Sequence, residues 1–314
     1  MDARLSTDDA VRFVKERYGE RASTPHLLGA GEWSRAYAFS LDDREAVIRF
    51  GGSGEDFAKD AVVSRLRPRG VPVPEVLEFG ETGRGGYFVV SERRYGRFLD
   101  ALDGAELRSA LPSLLSVLDG VAVVELSDTA GYGGWSSERR GQYAGWMAAL
   151  LAIDDDRPRL GDWRTALEIS PVGIASFRLG LAALRELAPA LPDVRRLIHA
   201  DLLNRNVLVS GGKISAVFDW GNSMYGDALY DAAWLLYWWP WYPAWREIDI
   251  RAELVRHWRD RAAVPADLKS RLLAYQLHIG LDHLAYTAAT QRWADLLRND
   301  RQVRDLVRGD PPSA

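Results

Sequence analysis

Three side chains between positions 198 and 220 have the types and the spacing that phosphoryl transfer requires. The segment reads IHADLLNRNVLVSGGKISAVFDW and contains Asp201, an asparagine five residues later at Asn206, and a second aspartate at Asp219. Transfer of a γ-phosphoryl group needs a positioned acceptor hydroxyl and metal ions that neutralise the phosphate oxygens. Asp201 would orient or deprotonate the hydroxyl. The side-chain oxygens of Asn206 and Asp219 are hard ligands that suit Mg²⁺.

The residues between Asn206 and Asp219 predict a β-hairpin. Residues 207–209 are apolar, Gly211 and Gly212 supply a turn, and residues 214–218 form a second apolar run. This pattern is typical of two short strands joined by a tight turn, which would return Asp219 towards Asn206. An isolated His-x-Asp is most often incidental. Here it is followed by an asparagine, a short apolar strand, a glycine turn and a second apolar strand that ends at an aspartate, and these five features together favour catalysis over chance.

The segment resembles the catalytic and metal-binding part of the aminoglycoside phosphotransferases, antibiotic kinases built like protein kinases, and most of all the members that phosphorylate hygromycin B. The resemblance continues through residues 70–81, 125–146, 224–241 and 277–284. It implies an α+β, two-lobed, protein-kinase-like fold. A small β-rich nucleotide-binding lobe would span residues 1–93 with a hinge at its end, and a larger, mainly helical lobe with the catalytic loop and acceptor site would span 94–314. By the same resemblance Asp201 is the catalytic aspartate, and Asn206 and Asp219 are the magnesium ligands.

A glycine-rich hairpin near the start of the chain is a candidate nucleotide loop. Residues 26–40 predict two short strands around Gly29, Gly31 and Ser34. Glycines there would let backbone N–H groups approach the triphosphate oxygens. Two glycines in an ordinary hairpin are commoner than a nucleotide loop, so the interpretation depends on the position of this hairpin ahead of the next motif.

The residue that would anchor the phosphates departs from the kinase pattern. Kinases of this type carry a lysine on the third strand, which pairs with an acid on the following helix. Here the matching residue is Arg49, on a predicted strand over 46–50, and its expected partner is Asp60, on a predicted helix over about 55–66. Lys59 is the alternative anchor. An Arg49–Asp60 surface ion pair without any nucleotide role is the other reading.

The base of the nucleotide would be held at the predicted hinge. An apolar strand over residues 87–90 leads into Ser91 and Arg93, where kinase-like proteins present backbone groups to the purine ring. Recognition through the backbone leaves no distinctive side chain, so ATP and GTP are not separated at this level.

The acceptor site is predicted where aromatic residues concentrate. At least one of Trp238 and Trp241 is expected to line it, because aromatic faces suit sugar rings and attract ammonium groups, although core packing is the better reading of any single tryptophan. Asp282 could pair with a substrate ammonium, or it could be a solvent-facing helical aspartate. Asn222 is a further candidate. The resemblance implies an acid at that position, so strict hygromycin specificity is not expected.

Two neighbouring residues are predicted to be structural. His199 is interpreted as a ring that holds the backbone next to Asp201, since Asp201 already supplies the base. Asp227 is predicted to brace the catalytic loop, as the resemblance implies. Elsewhere an opening helix is predicted over residues 7–18, and the helical pattern that begins near Leu99 is predicted to be interrupted at Pro112.

Composition sets broad limits. The chain has 314 residues, a formal net charge of −4 and no cysteine, which excludes disulfides, thiolate metal sites and a cysteine nucleophile. The mild acidity argues against nucleic acid as a partner, and no signal-peptide or membrane-spanning pattern is found. We therefore expect a cytoplasmic monomer without a membrane or nucleic-acid partner.

The sequence thus predicts an antibiotic kinase that uses Mg²⁺ and transfers the γ-phosphoryl group of ATP or GTP to a hydroxyl of a small-molecule acceptor, a hygromycin B-like aminoglycoside. A kinase of a nucleoside or other sugar-containing antibiotic is the first alternative. A noncatalytic ligand-binding protein of the same fold is the second, suggested by the missing strand lysine alone.

Overall fold

The chain forms a small lobe rich in strands and a larger lobe rich in helices. A computed structural model describes residues 5–83 and 85–309. The strands in these ranges are β1 (His26–Ala30), β2 (Ser34–Leu41), β3 (Arg44–Gly51), β4 (Val76–Glu81), β5 (Tyr87–Glu92), β6 (Arg97–Phe98), β7 (Tyr132–Trp135), β8 (Gly141–Tyr143), β9 (Arg196–Ile198), β10 (Val207–Ser210), β11 (Lys213–Val217) and β12 (Met224–Gly226). The helices are α1 (Thr7–Tyr18), α2 (Gly54–Leu66), α3 (Gly104–Ala122), α4 (Trp146–Leu151), α5 (Trp163–Glu168), α6 (Ala175–Leu187), α7 (Leu229–Trp238), α8 (Ile250–Asp260), α9 (Leu268–Ala289) and α10 (Trp293–Arg308).

The opening helix α1 has the bounds that the sequence predicts. Ser6 caps it, because its hydroxyl accepts a hydrogen bond of 3.2 Å from the Asp9 N–H. Acidic residues lie in its first turn and basic residues in its last, which suits the helix dipole. Its buried side chains, Ala10, Val14 and Tyr18, pack on the sheet of the small lobe.

A five-stranded antiparallel sheet in the order β1-β2-β3-β5-β4 forms the small lobe. Ile48 and Phe50 of β3 are fully buried in the cluster that contains α1. Side chains alternate across a strand, so Arg49, between them, points to the opposite face. Helix α2 contacts the sheet there, through β4 and β5. Strand β3 therefore delivers Arg49 to α2. The predicted lobe boundary at 93/94 lies just after β5, which is the last strand of this sheet along the chain. The boundary stays a prediction.

Two small sheets of the large lobe place the predicted catalytic segment. One has the order β11-β10-β6 and contains the predicted hairpin, and the other has the order β8-β7-β12-β9. The loop 199–206 connects β9 to β10, and the turn 218–223 connects β11 to β12. Because Val207 pairs with Val217, the end of the loop lies beside the start of the turn.

Helix α9 is the centre of the large lobe. It is 22 residues long and packs against α5, α6, α7 and α10, with Leu277, Leu281 and Leu284 fully buried. Polar groups such as Asp282 nevertheless lie along it. Within residues 5–83 and 85–309, no helix combines the length and the apolar character needed to cross a membrane.

The predicted interruption at Pro112 is wrong, because α3 runs through it from Gly104 to Ala122. Proline in a helix interior removes one hydrogen bond and costs on the order of 3 kcal/mol. Leu107, Leu111 and Leu114 of this helix are buried in the core of the large lobe, and Pro112 is exposed. Packing of the apolar face outweighs the local cost of the proline.

We predict that Gly226→Ala destabilises the fold. A Cβ atom at Gly226 would lie 2.4 Å from two ring atoms of the buried Trp146, whereas at Gly134 the nearest atom would be 3.8 Å away. Gly134 lies in the same sheet, where it pairs with Met224, so it is a matched control. Overpacking should cost Gly226→Ala about 1–3 kcal/mol. Urea unfolding of both variants would test this, and equal effects at the two positions would contradict it.

Candidate active site

The loop 199–206 has an unusual backbone that buried partners hold in place. Ala200, Asn204 and Arg205 have φ values of 61°, 58° and 66°, which non-glycine residues seldom adopt. The carboxylate of the buried Asp231 accepts hydrogen bonds from the N–H groups of His199 (2.9 Å) and Ala200 (2.8 Å). Asp231 of α7 therefore fixes the start of this loop.

The predicted brace Asp227 has a different task. Its carboxylate accepts hydrogen bonds from Arg271 and Tyr275 of α9 and from the Leu229 N–H. Asp227 thus ties the start of α7 to α9, and the prediction that it braces the catalytic loop is wrong. Asp231, four residues after Asp227 and about one helical turn further on, has the side chain that reaches the loop.

His199 is a structural, neutral residue in this arrangement. Its ring is fully buried, Nδ1 accepts a hydrogen bond from the Asp201 N–H (3.2 Å), and Nε2 is 3.1 Å from the Phe218 carbonyl oxygen, to which it donates in the matching tautomer. Burial lowers the pKa of His199 to about 4. The ring joins the loop to the turn, as the sequence interpretation has it.

The carboxylate of Asp201 is held at both oxygens by amide groups. Asn204 donates to Oδ1 at 2.7 Å and Asn222 donates to Oδ2 at 3.3 Å. Burial raises the pKa of Asp201 to about 7; the two amide hydrogen bonds oppose the shift, and the charge of Asp219 adds to it. Asp201 is therefore an oriented carboxyl group whose proton affinity suits exchange near neutral pH.

Asn206 and Asp219 lie close to each other. The Phe218 N–H donates to the Asn206 carbonyl oxygen at 3.1 Å, and the Asn206 side-chain N–H₂ donates to the Asp201 carbonyl oxygen at 2.9 Å. Asp219 has a left-handed backbone with φ 64°, and its side chain is 45% exposed, so its carboxylate is accessible from the cleft. The backbone contact therefore brings Asn206 and Asp219, each with a side-chain oxygen, to the same end of the hairpin. In the part of the chain that the structure describes, no group of three or more His, Cys, Asp or Glu side chains forms a metal cluster.

Arg49 and Asp60 form a buried ion pair beside Asp219. Their side chains are 14% and 6% exposed and are in hydrogen-bond contact. Arg49 Nη1 is also 3.5 Å from Asp219 Oδ2, and Asp60 Oδ1 accepts a hydrogen bond of 2.7 Å from the Trp220 N–H. Burial raises the pKa of the Asp60 carboxyl, while the Arg49 guanidinium opposes that shift. The pair is buried, unlike the surface pair considered above.

Lys59, the alternative phosphate anchor, contacts the large lobe. Its Nζ donates a hydrogen bond of 2.8 Å to the Gly221 carbonyl oxygen and lies 5.4 Å from the centre of the Trp135 ring. The side chain is buried, and burial lowers its pKa. Its hydrogen bond is therefore made to the backbone of the large lobe.

The glycine-rich hairpin forms the tight turn between β1 and β2. The Gly31 N–H donates to the Ser34 carbonyl oxygen at 2.8 Å, and a Cβ at Gly29 would meet no atom within 4 Å. From the tip of this hairpin the Glu32 carboxylate reaches the hydroxyl of Tyr286 at the end of α9. The hairpin therefore extends over the cleft to the large lobe.

The predicted hinge residues have fixed backbone partners. Ser91 is paired with Val47 on one side and with Val76 on the other. The Arg93 N–H donates to the Glu45 carbonyl oxygen at 3.1 Å, and its guanidinium lies 4.7 Å from the centre of the Tyr95 ring. A role of Ser91 and Arg93 in purine binding stays a prediction.

The predicted acceptor residues lie along α7, α9 and the turn that follows α7. The rings of Trp238 and Trp241 are 4.9 Å apart, and the Trp238 ring is 4.4 Å from that of His283 on α9. Both tryptophans are partly buried. Trp241 donates through Nε1 to Gln302 at 2.8 Å, while the buried Nε1 of Trp238 has no hydrogen-bond partner among residues 5–83 and 85–309. Of the two, Trp238 has the unused donor.

Asp282 already has a cationic partner. Arg157 donates a hydrogen bond to its carboxylate, and the buried Arg157 Nε and Nη2 atoms have no hydrogen-bond partner in the described part of the chain. The sequence did not predict this pair, because the two residues are separated by 125 positions. Asn222, the other acceptor candidate, contacts Asp201.

Asn204 and Asp231 are the site residues to which the sequence reasoning assigned no role. Asn204 is three residues after Asp201, within reach of its own loop, so an asparagine in that loop was a usable signal. Asp231 was visible in the motif GDALYD, but the choice between its two aspartates depended on the direction of α7.

A two-lobed kinase-like fold with an oriented carboxylate, two side-chain oxygen ligands at one end of a hairpin and a buried cation in the cleft defines a phosphotransferase. The model of the phosphotransferase enzyme family, APH, matches residues 26–265. The hygromycin-B 4-O-kinase of Escherichia coli is 34% identical over 281 residues, which are 89% of this chain and 79% of that protein. The chain therefore belongs to the phosphotransferase enzyme family.

Solved structures agree with this assignment. The crystal structure of aminoglycoside phosphotransferase APH(4)-Ia has a TM-score of 0.85 at 31% identity, covering 98% of this chain and 100% of that one. A thermostable mutant of the same enzyme, in a ternary complex with AMP-PNP and hygromycin B, has a TM-score of 0.83 at 32% identity, covering 96% and 98%. The predicted family, fold class and activity class, phosphoryl transfer, are confirmed.

We predict that His278 makes the fold sensitive to acid. Burial lowers its pKa to about 4, from 6.5, so between these values the unfolded state binds more protons and stability falls as pH falls. This one ring should lower the free energy of unfolding by about 1–2 kcal/mol between pH 7 and pH 5. His278→Gln should therefore show a shallower loss of stability than the wild type over that range.

Thermal unfolding at pH 7 and pH 5 would measure this difference. His26→Gln is the control, because His26 lies on the exposed strand β1. Parallel pH curves for the wild type and His278→Gln would contradict the prediction.

Proposed function

We propose that this protein transfers the γ-phosphoryl group of ATP or GTP to a hydroxyl of an aminoglycoside antibiotic of the hygromycin B type. The observation that carries the proposal is the Asp201 carboxylate, which two amides orient at the end of the hairpin that holds Asn206 and Asp219. The relatives support the class of acceptor, since one is a hygromycin-B 4-O-kinase and another was solved with AMP-PNP and hygromycin B. Such an activity belongs in the cytoplasm, and we propose that a monomer performs it.

Asp201 acts on the acceptor hydroxyl. A bond forms between the hydroxyl oxygen and the γ-phosphorus while the bond from the γ-phosphorus to the leaving diphosphate breaks, and Asp201 takes the hydroxyl proton. A pKa of about 7, raised by burial, lets this carboxylate accept the proton and return it to solvent near neutral pH. Asn204 and Asn222 keep both of its oxygens in place.

Asn206 and Asp219 would hold Mg²⁺. The site fits this cation, because its donors are a carboxylate and an amide oxygen, and because the Asn206 N–H₂ is engaged by the Asp201 carbonyl oxygen, which leaves the amide oxygen as the available ligand. When bound, Mg²⁺ neutralises the phosphate oxygens. Two protein ligands suffice, since Mg²⁺ in kinases keeps waters and phosphate oxygens in its remaining positions.

Arg49 would anchor the phosphates, with Asp60 as its partner. Arg49 Nη1 is 3.5 Å from Asp219 Oδ2, so the guanidinium is already beside the proposed metal ligand. A guanidinium offers two parallel donors to phosphate oxygens, whereas an ammonium acts as a point charge. Gly29, Gly31 and Ser34 would approach the triphosphate from β1 and β2, and Ser91 and Arg93 would lie near the base.

A kinase of a nucleoside or other uncharged sugar-containing antibiotic is the second candidate, favoured by one observation. The Asp282 carboxylate is paired with Arg157, so it is less available to a substrate ammonium than the sequence prediction required. The exposed Asn222 is uncharged as well. Trp238 and Trp241 suit a sugar face in either case. Diphosphate release measured with hygromycin B, with other aminoglycosides and with nucleoside antibiotics would separate the two candidates.

We predict that Asp201→Asn abolishes most turnover and preserves nucleotide binding. Loss of a catalytic base typically lowers kcat by about 10²–10⁴-fold. The amide keeps the shape of the side chain, and Asp201 faces the acceptor and not the nucleotide, so the nucleotide Kd should stay within about twofold of wild type. Steady-state kinetics and calorimetry would test both parts. Turnover close to that of wild type would rule out this mechanism.

We predict that Asp219→Asn weakens nucleotide binding only when magnesium is present. The substitution removes one negative charge from the proposed Mg²⁺ site, while Arg49 remains available to the phosphates. Calorimetric titration of ADP with Mg²⁺ should show an affinity lower by about 10-fold or more, as for loss of a metal-site ligand. With EDTA in place of Mg²⁺ the variant and the wild type should bind equally, and equal affinity under both conditions would count against the metal assignment.

A further inference from the structure

The turn from Asp219 to Asn222 serves both halves of the proposed reaction. At one end Asp219 is a proposed magnesium ligand, and at the other end Asn222 donates its hydrogen bond to Asp201 Oδ2. Residues 220–222 form a single 3₁₀ turn between them. A displacement of this short turn would therefore move a metal ligand and a partner of the base together.

Helix α2 of the small lobe makes hydrogen bonds to the backbone of two consecutive residues of this turn, Trp220 and Gly221. Asp60 Oδ1 accepts the hydrogen bond of the Trp220 N–H at 2.7 Å, and Lys59 Nζ donates to the Gly221 carbonyl oxygen at 2.8 Å. The two side chains that make these hydrogen bonds are neighbours in the sequence and opposite in charge. The Asp60 carboxylate binds a backbone N–H and the Lys59 ammonium binds a backbone carbonyl oxygen. The two hydrogen bonds therefore fix both the position and the direction of the turn.

The turn and the helix are in direct contact. A Cβ atom at Gly221 would lie 3.0 Å from both Cβ and Cγ of Asp56, so only glycine fits without movement. Lys59 itself is 6% exposed and lies over Trp135 of β7, in the large lobe. A buried ammonium is costly to keep unless its contacts are used.

We propose that Lys59 is a positioning residue for phosphoryl transfer, which sets the Asp219–Asn222 turn from the small lobe through the Gly221 carbonyl. This inference rests on the proposed function, and it assigns Lys59 a task other than binding phosphate. Arg49 and Asp60 form the phosphate-side pair, and Lys59 holds the turn that orients Asn222 and, through it, Asp201. The site is complete only when α2 lies against the large lobe.

The test compares Lys59→Met with Lys59→Arg. Methionine keeps the apolar stem and removes the donor, so kcat should fall by about 10–100-fold, since misplacement of a reacting group by about 1 Å can cost 100-fold. The Kd of ADP measured with EDTA should stay within twofold of wild type, because no phosphate contact is lost. Arginine restores a donor and should recover much of the kcat. Lys269→Met, at an exposed position of α9, is the matched control and should match the wild type.

A second variant reaches the same turn without touching Lys59. Gly221→Ala should push the turn away from Asp56 and lower kcat while the ADP affinity in EDTA is unchanged. A double variant of Lys59→Met with Gly221→Ala should lose less than the product of the two single effects, because both act through one turn. This variant keeps the proposal testable if Lys59→Met does not fold.

Two results would overturn the inference. A large rise in the ADP Kd in EDTA for Lys59→Met, with kcat retained, would make Lys59 a phosphate ligand. A lower melting temperature with unchanged kcat and unchanged magnesium-dependent affinity would make it structural only. If the wild type phosphorylates no acceptor, the proposed function fails, and the effect of Lys59→Met on the gain in ADP affinity upon adding Mg²⁺ still decides whether Lys59 positions Asp219.

Discussion

The buried contact between Arg49, Asp60 and the Trp220 N–H is the interaction on which the rest of the site depends. Asp60 uses one oxygen for the guanidinium of β3 and the other for the backbone of the large lobe. Removal of one partner from a buried ion pair leaves an uncompensated charge and typically costs about 3–5 kcal/mol. The sheet, the helix and the turn must therefore form together, which ties the proposed phosphate-binding side of the cleft to the proposed metal side.

Arginine in place of the strand lysine changes how this region is built. Its fork reaches Asp60 and also lies 3.5 Å from Asp219, so one side chain contacts two carboxylates. The arginine side chain is longer than lysine, and the aspartate on α2 is shorter than glutamate, so the two changes offset each other. The lysine of this region, Lys59, lies on α2 directly before Asp60 and contacts the large lobe.

The loop 199–206 is held in its conformation by Asp231 and His199, to which the proposed reaction assigns no contact with a substrate. Left-handed residues such as Ala200 and Asn204 each carry strain on the order of 1–3 kcal/mol, which persists only where the surroundings over-determine the backbone. Here Asp231 binds two successive N–H groups, and the neutral His199 ring links the loop to the Phe218 carbonyl oxygen. These contacts present Asp201 towards the cleft with its carboxylate held by two amides.

The sequence by itself determined most of the elements and the type of chemistry, because both depend on local patterns; at Pro112 the packing of α3 overrode the local pattern. The cap at Ser6, the alternation in β3 and the glycine turn after β10 specify α1, a strand and a hairpin. The spacing of Asp201, Asn206 and Asp219 places two of the proposed functional groups at the two ends of that hairpin and the third in the loop before it. Only the tertiary structure decided which charges meet. The pairing of Arg157 with Asp282, the choice of Asp231 over Asp227 and the direction of Lys59 all depend on how helices far apart in the chain pack, and burial then selects the partners because an unpaired polar group inside the protein is costly.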